Sequence, residues 1–170
     1  MTKSGPVIEL TGRFFRMKFC HEADDVLGPA RAAEGRSHYG GQPALYLSET
    51  ERGTVIATAR YVRDDDPPRA MFPLWVEGAR VVDLRDATAT AKLEIDTTHR
   101  AAEWQDIRAR GLPSPTWAIS DRVRELGLDG MLYASRSQPD LTHLTLFRWN
   151  VPGAAQVRQD GPPQPWNPSG

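Results

Sequence analysis

The pattern of hydrophobic residues along the chain predicts β-strands in five regions. The segment THLTLFRW alternates apolar and polar residues, as a strand with one buried face does. ALYLS is a short apolar run bounded by turn formers, which is typical of a buried strand. The first region is rich in β-branched and aromatic residues, has no proline, and is long enough for one or two strands. The five regions are 7–17, 44–48, 72–77, 79–84 and 142–149.

Helical spacing of apolar residues occurs in three further regions. Residues 49–62 and residues 100–110 both place apolar side chains three to four positions apart. Residues 114–127 share this spacing and also carry a start signal, because Ser114 is suited to the N-cap and Pro115 to the first helical position. The chain is therefore predicted to contain helices as well as strands.

The order of these elements favours a mixed architecture. Strands precede, separate and follow the helices, which predicts a single α+β domain with a mixed or antiparallel sheet and flanking helices. At 170 residues, of which 39% are hydrophobic, the chain has the size of one ordinary domain. We place this domain at residues 1–150. Residues 151–170 are rich in proline and are predicted to form an extended tail, which either wraps the domain through Trp166 or is a mobile end.

Charge and composition argue against several function classes. The chain has 21 basic and 22 acidic residues, a net charge of −1, so it lacks the general cationic surface that binds nucleic acid. No apolar run approaches the roughly 20 residues of a membrane-spanning helix, and the first residues do not resemble a secretory signal, so we expect a soluble cytoplasmic protein. The four histidines are scattered and Cys20 is the single cysteine, so no metal site and no internal disulfide are expected.

Residues 20–43 are predicted to form a long functional loop. Glycines and prolines stand among charged residues here, and loops of this length in compact domains are usually functional. Arg36 supplies a planar cationic fork for a carboxylate or phosphate, and the pair Gly40 and Gly41 lets the backbone turn sharply or approach a ligand closely. Neither a phosphate-binding loop nor the glycine pattern of dinucleotide-binding folds is present, so the standard routes of nucleotide binding are not supported.

The remaining polar residues point to a ligand that carries phosphates and a ribose. Arg36 and Arg16 are suited to clamping a pyrophosphate. Tyr46 is suited to stacking on a ring or bonding a ribose, and Ser135 to donating a hydrogen bond. Ordinary structural roles remain open for all of them. Most single arginines are solvated surface charges, a tyrosine in an apolar strand is often core, Ser48 is placed to cap the next helix, and Ser135 to end a strand.

Three segments, taken together in order, resemble the RES domain, the toxin half of a bacterial toxin–antitoxin pair. They are RSHYGGQPALYLS from Arg36 to Ser48, GLDGMLYASRS at 127–137 and THLTLFRWN at 142–150. The resemblance implies a fold similar to ADP-ribosyltransferase toxins and chemistry on NAD+. Some family members degrade NAD+ by hydrolysis or phosphorolysis, and others modify proteins, including phosphoribosyl pyrophosphate synthetase. The family's antitoxins are small helix-turn-helix proteins whose C-terminal segment plugs the toxin's site.

The resemblance also assigns roles to individual residues. Arg36, Tyr46 and Ser135 match the family's arginine, tyrosine and serine and are the predicted catalytic residues. Arg16 matches a second arginine found in many members, and Ser48 follows Tyr46 on the same strand, so both are predicted to help hold NAD+. His38 stands where many members carry asparagine, and either faces the ligand or makes only local contacts.

The family glutamate is missing from this chain. Its expected position, by register from Tyr46, is Ala57 or Thr58. Glu51 lies one to two turns earlier, roughly 9–10 Å along a helix at 1.5 Å per residue. A carboxylate here would orient the ribose or activate the incoming nucleophile. Its absence favours transfer of ADP-ribose to a protein acceptor that brings its own nucleophile.

Two other functions remain open from the sequence. The first is depletion of NAD+ by hydrolysis or phosphorolysis, with Glu49, Glu51 or an ordered water covering the missing carboxylate. The second is a catalytically inactive fold that binds a nucleotide or a partner. The missing glutamate is the reason for keeping this second alternative.

Overall fold

The computed structural model describes residues 2–168, which form one β-sheet with helices packed on it. This architecture confirms the predicted α+β class. The strands are β1 Thr2–Ser4, β2 Val7–Phe19, β3 Leu45–Ser48, β4 Arg69–Asp83, β5 Gly130–Ala134, β6 Thr142–Leu146, β7 Gln156–Gln159 and β8 Gln164–Trp166. The α-helices are α1 Glu51–Thr58, α2 Ala87–Lys92, α3 Trp104–Ala109 and α4 Thr116–Glu125, and short 3-10 helices span Cys20–Asp25 and Ala59–Tyr61.

Five of the strands pair in a closed ring. β2 pairs with β3, β3 with β6, β6 with β5, β5 with β4, and β4 pairs back with β2. The pair of β4 and β5 is parallel and the other four pairs are antiparallel, so the sheet is mixed, as predicted. Because each strand of the ring is held on both sides, side chains on neighbouring strands are fixed relative to one another.

Alternation along the ring strands divides their side chains between two environments. Leu45 and Leu47 of β3, with Leu144 and Leu146 of β6, are buried in the main hydrophobic cluster. The residues between them project to the opposite face, where polar side chains gather. Burying a leucine contributes about 1.5–3 kcal/mol, so the apolar face fixes the register and with it the position of the polar face.

The two strands predicted at 72–77 and 79–84 form one continuous strand, β4. Gly78 connects the two predicted segments, and its φ of 65° lies in the left-handed region. The pairing of β4 with β2 shifts at this point, between Leu10 and Gly12, which is a β-bulge. Since glycine adopts a positive φ at little cost, the bulge bends the strand without ending it.

Two helices differ from the sequence prediction. In α4 the N-cap position belongs to Pro115, one residue later than predicted. The Ser114 hydroxyl lies 2.6 Å from Oγ1 of Thr116 and accepts from the N–H of Thr116 at 3.3 Å, so it still satisfies a donor of the first turn. Helix α2 is absent from the prediction because its sequence, ATATAK, has no apolar period. A start signal was nevertheless present, since the Asp86 side chain accepts hydrogen bonds from the N–H groups of the helix's first turn.

The segments outside the ring lie along its rim. Residues 26–44 form a loop without helix or strand, in agreement with the prediction for 20–43, and the 3-10 helix Cys20–Asp25 precedes it. After residue 150, β7 and β8 both pair with β4, and Trp166 lies opposite Arg69. The proline-rich segment thus adds two short strands to the sheet as far as residue 168.

Candidate active site

The register of β3, β6 and β5 places polar side chains in two rows on one face. Ser48 lies opposite His143, which in turn lies opposite Tyr133. Two residues along the strands, Tyr46 lies opposite Thr145. The Tyr133 hydroxyl and Oγ1 of Thr145 are 2.8 Å apart and link the two rows. Residues two apart on a strand share a face, so all five side chains belong to one surface.

This surface forms part of a cleft of about 490 Å³, a volume within the range of small-molecule sites. The other walls come from β2, the loop around Arg36, α1 and the end of β5. All six residues that the sequence predicts to hold NAD+ line this cleft: Arg16, Arg36, His38, Tyr46, Ser48 and Ser135. The fold therefore brings together residues that are up to 119 positions apart in the sequence.

Arg36 is a half-buried cation held by backbone carbonyls. Its Nη1 donates to the carbonyl oxygens of Arg100, at 3.1 Å, and Ala102, at 3.0 Å. Within residues 2–168 it forms no ion pair, and its Nε and Nη2 have no hydrogen-bond partner. Burial lowers the pKa of Arg36, and the nearby charge of Arg136 lowers it further. A guanidinium stays protonated at neutral pH nonetheless, so Arg36 brings an uncompensated positive charge to the cleft.

Arg16, which also lines the cleft, has a similar environment. The residue is 7% exposed, and its Nη1 donates to the carbonyl oxygens of Val26, at 2.6 Å, and Gly28, at 2.7 Å. Burial lowers the pKa of Arg16 to about 10, against the attraction of Asp25 and Glu22. Neither carboxylate forms an ion pair with it among the described residues. Arg16 thus fixes the loop after β2 and remains a buried cation at the cleft.

Tyr46 and His38 hold the loop that carries Arg36. The Tyr46 hydroxyl lies 2.6 Å from Nδ1 of His38 and accepts a hydrogen bond from the N–H of Ser37 at 3.0 Å. Nε2 of His38 lies 2.8 Å from the carbonyl of Ala32, which only accepts, so Nε2 carries a proton. In the neutral ring Nδ1 then accepts from Tyr46. Burial raises the pKa of Tyr46, which keeps the phenol protonated.

Helix α4 fixes the backbone of the same loop from the other side. The indole Nε1 of Trp117 donates to the carbonyl of Gly35 at 2.8 Å. Oγ1 of Thr116 donates to the carbonyl of Arg36 at 2.5 Å, and Nη2 of Arg124 donates to the carbonyl of Ser37 at 2.7 Å. One helix therefore donates hydrogen bonds to three consecutive carbonyls. These bonds hold the backbone of residues 35–37 in place, and with it the starting point of the Arg36 side chain.

Ser135 follows the last residue of β5 and is buried. Its N–H donates to the carbonyl of Leu141 at 2.9 Å, and its Oγ accepts from the N–H of Gln138 at 3.3 Å. Among residues 2–168 no acceptor lies within reach of the hydroxyl proton. Ser135 can therefore fill both roles that the sequence predicts for it. It ends a strand, and its O–H can still donate into the cleft.

Ser48 and His143 form a buried pair on the cleft floor. Oγ of Ser48 and Nδ1 of His143 are 2.7 Å apart, and both residues are less than 9% exposed. Ser48 does not cap α1, whose N-cap is Thr50, accepting from the N–H of Gly53 at 2.9 Å. Burial, followed by the charge of Arg36, lowers the pKa of His143 to about 4, so its imidazole is neutral at pH 7.

Carboxylates are scarce at the cleft. Among the described residues, Glu34 is the one acidic side chain of the lining, and Nη2 and Nε of Arg108 donate to its two oxygens at 2.8 and 2.9 Å. Ala57 and Thr58, the expected positions of the family glutamate, both line the cleft. Among the described residues the lining also contains five arginines, at positions 16, 36, 60, 100 and 136. Arg60 and Arg136 are both paired with Glu103, and the remaining excess of arginines makes the cleft positive and suited to an anion.

Several cleft residues were missed by the sequence analysis. His143 lies in THLTLFRWN and Tyr133 in GLDGMLYASRS, two of the segments that carry the family resemblance. Their location in these segments was the one signal in the sequence that could have identified them. Arg60, Tyr61 and Arg100 line the mouth of the cleft and carry no motif. An isolated arginine or tyrosine in a loop gives no indication of which cavity it faces.

Neither a metal cluster nor a membrane span is found in the part of the chain that the structure describes. Histidine, cysteine, aspartate and glutamate side chains of residues 2–168 nowhere gather in threes that would hold a metal ion. The helices of the same residues are all too short or too polar to cross a bilayer.

Comparisons with known proteins identify the family and the fold of the chain. The family model described as the RES domain matches residues 13–168. None of the curated proteins matches the chain. Among solved structures, the crystal structure of the M. tuberculosis MbcT–MbcA toxin–antitoxin complex contains a chain that is similar, with a TM-score of 0.64 and 17% sequence identity over 96% of this chain and 88% of that one. This likeness in fold and the family model agree with the RES domain expected from the sequence.

Proposed function

The chain belongs to the RES domain family, and from this premise we propose that it is a toxin that cleaves the nicotinamide–ribose bond of NAD+ and transfers ADP-ribose to a protein acceptor. One observation carries the proposal. Two arginines that lack an ion pair among the described residues, Arg16 and Arg36, line a single cleft together with the other four residues assigned by the resemblance.

An anion is the natural complement of these two arginines. Buried charges in proteins are usually paired, because removing an ion from water costs several kcal/mol. The carbonyls that hold Arg16 and Arg36 orient each guanidinium without neutralising it. The negative charge therefore comes from the ligand, and a diphosphate, with an oxygen for each arginine, fits this requirement.

The other cleft residues act on the ribose and on the leaving group. Breaking the bond between C1′ and the pyridinium nitrogen builds positive charge on the sugar, and nicotinamide leaves with the electron pair as a neutral molecule. The Tyr46 hydroxyl is committed to Ser37 and His38, so its ring, rather than its hydroxyl, contacts the dinucleotide. The Ser135 hydroxyl proton is uncommitted within residues 2–168 and donates to the ligand.

The missing carboxylate favours transfer over hydrolysis. Ala57 and Thr58 line the cleft without supplying a carboxylate, and Glu34, the one acidic side chain of the lining within residues 2–168, is paired with Arg108. Glu49 and Glu51, the substitutes considered from the sequence, are exposed and lie outside the cleft lining. Water is a poor nucleophile without a carboxylate that positions and activates it, whereas a protein acceptor brings a nucleophile already positioned by binding.

The same premise extends to partners. The complex of MbcT and MbcA is a toxin–antitoxin complex of similar fold, which supports an antitoxin partner for this chain as well. We propose that this antitoxin is a small helix-turn-helix protein and that the acceptor is phosphoribosyl pyrophosphate synthetase, both from the family resemblance. Such a toxin meets NAD+, acceptor and antitoxin in the cytoplasm.

Radiolabelled NAD+ tests the proposal directly. The purified protein is incubated with NAD+ labelled in the adenylate phosphate, with and without bacterial lysate, and free and protein-bound label are separated. We expect label on protein with wild-type chain and none with Arg36→Ala. The matched control is Arg110→Ala, an exposed arginine that forms no ion pair within residues 2–168. Label only in free ADP-ribose or its 1-phosphate rejects transfer in favour of NAD+ depletion, and no cleavage in any sample rejects the enzyme assignment.

A further inference from the structure

His143 lines the cleft, in a position to which the family resemblance gives no role. It is the second residue of β6, between Ser48 on β3 and Tyr133 on β5. Its ring is tilted against that of Tyr133, with the centroids 5.6 Å apart. Strands on both sides therefore hold the imidazole in one place, and it lines the cleft.

The two ring nitrogens of His143 have different environments. Nδ1 lies 2.7 Å from Oγ of Ser48. Nε2 has no hydrogen-bond partner among residues 2–168. It is also not completely buried, so a ligand atom can reach it. Nε2 is therefore open to the cleft, while Nδ1 is used to orient the ring.

The charges around His143 keep it neutral. Three groups face it: the hydroxyl of Ser48 from β3, the phenol of Tyr133 from β5 and the guanidinium of Arg36 from the loop. Of these, Arg36 carries a charge, and that charge together with burial opposes protonation. A neutral imidazole has one nitrogen lone pair, and the Ser48 hydroxyl, which can donate to Nδ1 or accept from it, is compatible with that lone pair on either nitrogen.

We propose that His143, oriented by Ser48, accepts the proton of the acceptor's nucleophile during ADP-ribose transfer, the task for which positions 57 and 58 supply no carboxylate. This inference rests on the proposed function. In the required tautomer Nδ1–H donates to Oγ of Ser48, and the lone pair on Nε2 faces the cleft. The same hydrogen bond persists after protonation, because Nδ1–H is present in the imidazolium too.

The step balances without a further reactant. The C1′–N bond breaks and its electron pair leaves with nicotinamide, as a hydroxyl or amine of the acceptor forms a bond to C1′. The attacking group becomes strongly acidic as that bond forms, so even a weak base in contact with it takes the proton. The proton goes to Nε2, and the imidazolium, repelled by Arg36, then releases it to water.

Two substitutions separate a proton acceptor from a structural histidine. His143→Gln keeps a polar side chain and His143→Ala opens a space for added imidazole. In single turnovers at saturating NAD+, we expect transfer about 10²–10⁴-fold slower in both variants, with the dissociation constant of NAD+ nearly unchanged. We expect added imidazole to restore transfer in His143→Ala and not in His143→Gln. Ser48→Ala should slow transfer less, because it removes only the orienting contact.

The control is His21→Ala, an exposed histidine that stacks on Phe19 and lies outside the cleft. Urea denaturation of each variant establishes that it is folded. Wild-type rates in the folded His143→Gln variant overturn the inference and leave the proposed function intact. A parallel loss of NAD+ binding and transfer, without imidazole rescue, also overturns it, since His143 then serves the structure. If the wild-type chain itself neither binds nor cleaves NAD+, the proposed function fails.

Discussion

The Tyr46 hydroxyl and Nδ1 of His38 lie 2.6 Å apart, and this hydrogen bond ties strand β3 to the loop that carries Arg36. A ligand contact was predicted for Tyr46 from the family resemblance, while for His38 both a ligand contact and purely local contacts were left open. Their polar atoms are instead used on each other and on the backbone of Ser37 and Ala32. Their main contribution is to hold the cation in place, so predictions about them concern stability and position as much as chemistry.

Replacing Gly35 with alanine should displace this contact. An added Cβ would lie 2.5 Å from Cε1 of His38 and 2.7 Å from Oη of Tyr46. Because Arg36 is the next residue, we expect the affinity for NAD+ to fall about tenfold or more, or by about 1.4 kcal/mol, in calorimetric titration. Gly12→Ala is the matched control, since its Cβ meets only the ring of Phe14 at 4.0 Å. Equal affinities in the two variants would contradict the prediction.

The substitution Tyr46→Phe should destabilise the fold. It removes the acceptor for the Ser37 N–H and the partner of Nδ1 in His38, and leaves both groups buried. A buried polar group without a partner costs about 1–3 kcal/mol, which urea denaturation resolves. Tyr61→Phe serves as control because Tyr61 is exposed, and we expect its effect to stay within about 0.5 kcal/mol. A Tyr46→Phe variant as stable as the control would show that the hydroxyl does not hold the loop.

Arg36→Lys should weaken NAD+ binding although it keeps the charge. Arg36 reaches two carbonyls with Nη1 and has Nε and Nη2 left for the ligand, whereas one ammonium cannot serve both purposes. The loss of charge-assisted hydrogen bonds, about 1.5–3 kcal/mol each, corresponds to roughly 10–100-fold in the dissociation constant. Arg110→Lys is the control. An Arg36→Lys variant that binds NAD+ like the wild type would mean that charge alone is recognised.

The sequence predicted four strands, β2, β3, β4 and β6, and six residues that line the cleft, whereas β1, β5, β7 and β8 were not predicted. Strands β3 and β6 were predicted because apolar runs and alternation are local signals. Their pairing was not, since the contact of Ser48 with His143 joins residues 95 positions apart, and spacing contains no information about register between distant strands. For this reason His143 stayed unassigned, although the segment around it was recognised.

The contacts that anchor the Arg36 loop could not be predicted from the sequence either. Helix α4 was predicted from its apolar spacing, but the side chains that hold the loop, on Thr116, Trp117 and Arg124, stand 80 to 87 residues from their partners. Nothing in the residue types distinguishes such an anchor from an ordinary surface or core position. Local pattern therefore predicts elements, while the positioning of the site depends on contacts that only the folded chain defines.

Introducing a carboxylate at the position of the missing glutamate should redirect the reaction toward water. Ala57 and Thr58 both line the cleft at the end of α1. We expect Ala57→Glu or Thr58→Glu to raise NAD+ hydrolysis in the absence of acceptor, by a factor that approaches the 10²–10⁴ typical of general-base catalysis. The rate of hydrolysis is measured by chromatography, as the release of nicotinamide and free ADP-ribose.

The corresponding glutamines, Ala57→Gln and Thr58→Gln, are matched controls because they add similar volume without a base. The Thr58 hydroxyl lies 2.7 Å from the carbonyl of Thr54, 3.3 Å from that of Val55 and 3.7 Å from Sδ of Met17, and its replacement removes these contacts in both variants alike. Hydrolysis that is no faster in either glutamate variant than in its glutamine counterpart would mean that the missing carboxylate does not limit attack by water.

The buried imidazole of His143 should make stability depend on pH. Burial and Arg36 lower its pKa in the folded chain from 6.5 to about 4. As pH falls below 6.5, the unfolded chain takes up a proton on this histidine and the folded chain does not, so the free energy of unfolding decreases. The decrease ends near pH 4, where the folded chain is protonated as well, and amounts to on the order of 3 kcal/mol at most.

Denaturation of wild-type chain and His143→Gln between pH 7 and pH 4 isolates this contribution. Carboxylates that lose their ion pairs also reduce stability in acid, but they affect both proteins equally. We therefore expect the stability difference between wild type and variant to shrink as pH falls from 6.5 to 4, and to stay constant above pH 7. A difference that is independent of pH would show that the His143 ring is not desolvated. It would also remove the reason for expecting a neutral imidazole on the cleft floor at pH 7.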